Sequence, residues 1–298
     1  TLFHRLLAFL LLAATALPAG AVDWSKQLPL ERKSQYFEFR YQRESWDAAA
    51  FARFADGFVD LVNRDFVKLG FDYPIQVLVL PDRASFQQFL KKEFVVRDPP
   101  NFGMYFSAFK VFVTFEDSGL GTFAHEIMHP LLDRNLRNCP VWATEAVPAF
   151  FEKFIGYWDA DKLVLQWGYQ NPWRIEAIGD KLTGLDLARI VNDRRPVTNF
   201  DNSERRLVTV FLWRAGRLER FLRLLADNTR AGYDSCFEAA MEQPLKAMVP
   251  QWQSYLQEIA AHRTAIMKVP ASIVLPNRPA FEQALANVTP WRQTQSTP

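Results

Sequence analysis

Aromatic and polar residues alternate through Tyr36-Phe37-Glu38-Phe39-Arg40-Tyr41, the period of a half-buried strand. Phe51, Phe54, Phe58, Leu61, Val62 and Phe66 then recur at helical spacing. They predict a helix capped by Ser45, with Asp47 in its first turn, that stops at Gly70. The apolar run 75–80 predicts a second strand, and residues 85–94 a second helix, broken by Pro99-Pro100. In 104–115 the alternation sets Phe109, Val111, Val113 and Phe115 on one side and Lys110, Phe112 and Thr114 on the other, as one strand or a hairpin. A Gly-containing turn at 117–121 leads into a helix that starts near Thr122. Beyond it the strand signals fade, and residues 142–154, 207–225, 233–241 and 245–259 all carry helical patterning. Residues 270–298 are studded with Pro and read as a loose tail. The expected fold is α+β: a small mixed sheet with helices, then a mostly α-helical C-terminal lobe. The body spans 22–260, divided near 138, with 261–298 as an extension.

The first residues break this pattern. His4 and Arg5 precede a mostly apolar run from Leu6 to Leu17, and Pro18-Ala19-Gly20-Ala21-Val22 follows it. That order predicts a signal peptide over 1–21, cleaved after Ala21, and export to a periplasm or the outside. The run falls short of the about 20 apolar residues that a membrane span needs, so no stable span is expected in the mature chain.

Composition narrows the partners. Lys and Arg number 35 against 33 Asp and Glu, a net charge of +2, which gives no electrostatic reason for a nucleic-acid partner. Two cysteines are too few for a disulfide scaffold or a Cys-rich zinc ribbon. In an oxidising compartment Cys139 and Cys236 are either a disulfide or two free buried thiols.

The chemistry concentrates in His125-Glu126-Ile127-Met128-His129. Residues four apart share a helix face, so two imidazoles so placed can bind one zinc ion (Zn2+) at about 2.0–2.1 Å each. Glu126 is rotated off that face but within reach of a water on the metal, whose proton a carboxylate can take. Chance placement would give such a match roughly 0.3% of the time. A catalytic zinc needs a third protein ligand. Leu132 and Asn135 offer none, and nothing around His262 has ligand spacing, so a carboxylate is expected. Glu145 is the best candidate, because a carboxylate in so apolar a helix is costly unless something pairs it. Glu152, two turns on, is the runner-up ligand or the group that holds an imidazole N–H.

The paired motifs, His125-Glu126-Ile127-Met128-His129 and Trp142-Ala143-Thr144-Glu145 with Phe150 and Glu152, resemble those of gluzincin zinc metallopeptidases, and more narrowly the peptidase MA-like group. The similarity extends more weakly over residues 35–260. It implies a zincin-like fold and a zinc-dependent metallopeptidase acting on a peptide or protein substrate. His125, His129 and Glu145 would be the metal ligands and Glu126 the catalytic base. An edge strand near Val111–Phe115 would pair with extended substrate. The oxyanion donor would be a Tyr or His, for which Tyr105, Tyr157 and Tyr169 are the candidates. Ala146 and Pro148 depart from the family pattern. They leave open a second reading, a zinc-binding, non-catalytic scaffold of the cell envelope. The oligomeric state is not legible.

Overall fold

A computed structural model describes residues 23–70, 73–136, 139–194, 199–227 and 233–286; the expected leader, residues 1–21, lies outside them. The fold is α+β. Its larger sheet begins with β1 (Leu30–Lys33) and β2 (Phe37–Tyr41). Helix α1 (Ala48–Asp65) then crosses over to β3 (Ile75–Leu80), and α2 (Arg83–Glu93) follows. Strands β4 (Met104–Phe106) and β5 (Val111–Phe115) form a hairpin. The strand order is β1-β2-β3-β5-β4, with β2, β3 and β5 parallel and the two outer strands antiparallel. Parallel neighbours need a crossover connection, which α1 and α2 supply.

The helix caps lie where carboxylates can reach free backbone N–H groups. Asp47, not Ser45, caps α1: its Oδ1 accepts from Ala50 N at 2.9 Å. Asp82 caps α2 in the same way, accepting from Ser85 N at 2.8 Å, so α2 starts ahead of residue 85. Side-chain alternation in β3 and β5 feeds two cores. Leu78, Leu80, Val111, Val113 and Phe115 pack with Phe86, Phe89 and Leu90 of α2. Val77, Val79 and Phe112 face the main core with α1. The hairpin corrects one expectation: β5 is internal, and the free edge belongs to β4, which folds back on it.

Helix α3 (Leu120–Asn135) follows the sheet, and α4 (Val141–Phe151) packs against it. α4 ends short of the expected residue 154, because the chain then turns into β6 (Ile155–Asp159) and β7 (Lys162–Gln166). These two strands and β8 (Ile273–Leu275) form a second sheet, order β7-β6-β8; β6 and β7 fall in the half expected to be mostly helical, and β8 in the expected tail. The remaining helices are α5 (Pro172–Ile178), α6 (Leu187–Val191), α7 (Asn199–Arg214), α8 (Leu218–Asp227), α9 (Tyr233–Met241), α10 (Leu245–Ala261), α11 (Arg263–Ile266) and α12 (Arg278–Ala286). The expected helix over 207–225 is two helices, because Gly216 at φ 69° ends the first in a left-handed turn.

Residues 270–286 are not a loose tail. β8 pairs with β6, and the Phe281 ring lies 4.8 Å from that of Tyr157. Cys139 and Cys236 are free thiols. Among the described residues no helix is long and apolar enough to cross a membrane.

Candidate metal centre

Helix α3 places His125 and His129 one turn apart, with ring centroids 5.1 Å from each other. The helix runs through Pro130, which lacks the N–H that would bond the carbonyl of Glu126 four residues back. One rung is therefore missing inside the motif itself. Helix α4 lies alongside and sets Glu145 opposite the two rings. His125 Nε2 is 3.5 Å from Glu145 Oε2, and His129 Nε2 is 3.8 Å from Glu145 Oε1.

These distances suit a metal ion. Atoms about 2.0–2.2 Å from a tetrahedral zinc lie roughly 3.3–3.6 Å from one another, and two His with one Glu is a catalytic zinc donor set. Two carboxylates compete for the third place. Ligand atoms of Glu126 lie within 4.8 Å of those of His125 and His129. Glu145 alone contacts the Nε2 of both rings, whereas the nearest Glu126 oxygen is 4.0 Å from His129 Nε2. Glu145 is thus the better ligand, and Glu126 is left beside the site.

Glu126 is buried, and Gly103 makes room for it. A Cβ at residue 103 would lie 3.0 Å from Glu126 Cγ and 3.0 Å from Phe112 Cε2. Burial is the main influence on the Glu126 carboxyl and pushes it up to about 7, against the pull of His125 and the Tyr105 backbone. A base suited to neutral pH has that property.

On its far side His125 meets Glu152, whose Oε2 is 3.2 Å from Nδ1. The approach is close but not aligned as a straight hydrogen bond. Glu152 is firmly held. Arg174 donates to it from Nε at 2.5 Å and Nη2 at 2.6 Å, and Asn171 Nδ2 donates at 2.6 Å. Burial opposes the charge on Glu152, but Arg174 and then His125 hold its carboxyl well below the usual range. Burial also works to strip His125 of its proton, yet Glu145 and Glu152 outweigh it and push the imidazole up to about 10. His129 has less support, and burial brings it down to about 4. For Glu145, burial is overcome by the two imidazoles, which bring the carboxyl down to about 2. A metal bound at His125 Nε2 would displace a proton there, and Glu152 would keep the one on Nδ1.

The site opens into a cleft of about 1230 Å³. The β4 segment, α3, the α4–β6 junction and α5 all contribute to its lining. Of the three tyrosines expected as oxyanion donors, only Tyr105 lines this cleft. Tyr157 packs on Phe281, and the Tyr169 hydroxyl donates to Gln166. His262 is exposed, with Nδ1 2.8 Å from Glu258 O, and takes no part. Motif reading missed Asn171, Arg174 and Asn202. Asn202 Nδ2 donates to Glu145 Oε2 at 3.4 Å. No local spacing ties these residues to the histidines, since they arrive from other elements. Compared with known proteins, the sequence matches no family model and no curated protein.

Proposed function

We propose that the chain is a zinc-dependent peptidase of the gluzincin kind, exported by the leader-like pattern over residues 1–21. The observation that carries this reading is the convergence of His125 Nε2 and His129 Nε2 on Glu145, with the buried Glu126 beside them. His125, His129 and Glu145 would hold the ion. When bound, zinc supplies a Lewis acid that makes water acidic near neutral pH and polarises a peptide carbonyl. Glu126 takes the proton of the attacking water and delivers it to the leaving amine. Glu152 fixes the His125 ring through Nδ1, and Arg174 with Asn171 fixes Glu152. Tyr105, which lines the cleft, is the candidate to donate a hydrogen bond to the carbonyl oxygen as it gains charge.

The test is zinc stoichiometry together with hydrolysis of a mixed peptide library. Wild type is expected to hold one zinc per chain. His129→Ala and Glu145→Ala are expected to lose it. Glu126→Gln is expected to keep zinc while turnover falls by about 10²-fold or more. Folded wild type without zinc, or full turnover by Glu126→Gln, would overturn the reading. Zinc without turnover of any peptide would favour the non-catalytic scaffold.

A further inference from the structure

One end of the cleft carries more buried positive charge than its carboxylates balance. Lys153, Arg174 and Arg206 are 5%, 4% and 2% exposed. Arg174 holds Glu152 through two bonds, and Arg206 Nε lies 3.7 Å from the same carboxylate. Glu152 is shared with His125 as well. The other partners of Arg206 are neutral: the carbonyls of Ala149 and Tyr169, and Gln170 Oε1. Lys153 Nζ donates to the carbonyl of Pro270, also neutral. Among the described residues no second carboxylate comes within 4.0 Å of any of the three cations. The crowding is visible at Lys153: burial, then the charge of Arg206, brings its amine down to about 8 against the pull of Glu152. A buried cation short of counter-charge is costly unless an anion completes it.

Two of these cations are placed to meet such an anion. Lys153 and Arg174 both line the cleft. Arg174 Nη1 is buried and has no hydrogen-bond partner. We propose that Lys153 and Arg174 form a carboxylate subsite, which binds a carboxylate of the peptide substrate. The inference rests on the peptidase reading and extends it to the class of substrate.

Glu152 contacts both His125 and Arg174, so the subsite is one carboxylate away from the metal centre. An extended residue advances about 3.3 Å. The bound carboxylate therefore belongs to a residue within a few positions of the cleaved bond. A free C-terminus supplies one, which makes the chain a carboxypeptidase by preference. An acidic side chain near the bond supplies the same group.

The experiment uses three N-acetylated pentapeptides of Ala and Leu: one with a free C-terminus, its C-terminal amide, and the amide with Glu as its last residue. Binding is measured calorimetrically to the Glu126→Gln chain, where turnover is slow, and cleavage is measured with wild type. The free acid is expected to bind at least about tenfold more tightly than the plain amide, the scale of a charge-assisted pair. Recovery of affinity by the Glu-terminated amide would assign the subsite to side chains as well as C-termini. Without recovery it belongs to C-termini alone. Adding Lys153→Met to the Glu126→Gln chain is expected to erase the preference, and adding Lys153→Arg to keep it. Equal binding of acid and amide, or no binding of either, overturns the subsite. So does a preference that survives Lys153→Met. If none of the peptides is cleaved while the binding preference holds, the peptidase reading fails and the subsite stands.

Discussion

Glu152 stands behind His125, its Oε2 3.2 Å from the ring Nδ1, while the opposite ring nitrogen faces Glu145. Both carboxylates come from one helix and its C-cap, seven residues or two turns apart, so α4 presents them on a common face. One helix and its C-cap thus supply both the proposed third ligand and the carboxylate that backs the proposed first.

Removing that support should weaken the metal without removing a ligand. Glu152→Gln is expected to lower zinc affinity by about 10–100-fold, the usual cost of losing a carboxylate behind a metal-bound His. Competition with a chromophoric chelator measures this directly. The same change leaves Arg174 buried without its counter-charge, so unfolding free energy should fall by about 3–5 kcal/mol. Unchanged zinc affinity would mean that the close approach of Glu152 to Nδ1 does no orienting.

Gly103 is where the proposed base, Glu126, can be moved without touching it. An added Cβ would meet both Glu126 Cγ and Phe112 Cε2 at 3.0 Å, and the Phe ring is locked in the core. Gly103→Ala is therefore expected to displace Glu126, lowering kcat while zinc content stays at the wild-type level. Equal loss of zinc and activity would point instead to disruption of the whole centre.

Lys153 gives stability a pH dependence of definite sign. Its folded value, about 8, lies below the ordinary 10.5. Below about 8 folded and unfolded chains both carry the proton, and the cost of burying the charge is present in full. Between about 8 and 10.5 the unfolded chain holds more of the proton, so the folded state gains as pH rises. Lys153→Met lacks this response. Denaturant unfolding of the two proteins should show wild type gaining on the variant across that interval. A constant difference would mean that the amine titrates normally.

The C-terminal segment should matter to the site although it carries no ligand. Ser272 Oγ donates to Glu152 O at 2.7 Å and accepts from Phe154 N at 3.1 Å, bridging the end of α4 to β6. Ser272→Ala leaves both backbone groups without that partner and should cost about 1–3 kcal/mol. Truncation after residue 268 removes β8 as well and should cost more. Thermal unfolding decides this, and an unchanged midpoint for the truncated chain would return the segment to the status of a tail.

Local patterning carried a large share of the result. The His125-x-x-x-His129 spacing needs only a helix to bring two imidazoles together, and α3 is such a helix. Glu145 was legible because a carboxylate in an apolar helix needs a partner, and Glu152 because it lies two turns further along. Alternation in β5 separated its two faces correctly, since side-chain direction in a strand is a property of the backbone alone. The second sheet was missed. Its strands are five residues or fewer, and β8 pairs with β6 from more than a hundred residues away. The edge was misplaced for a similar reason, since a strand becomes internal only when something pairs with its outer side.

What the sequence determined by itself was therefore the groups held within one helix or along one strand: two imidazoles, a carboxylate between them, and two further carboxylates at helical spacing. Tertiary structure decided which carboxylate faces both rings, which one backs His125, and that Arg174, Asn171 and Arg206 surround the latter. Spacing along the chain sets direction within an element. Distances between elements follow from how their apolar faces pack, and no short stretch of sequence contains that information.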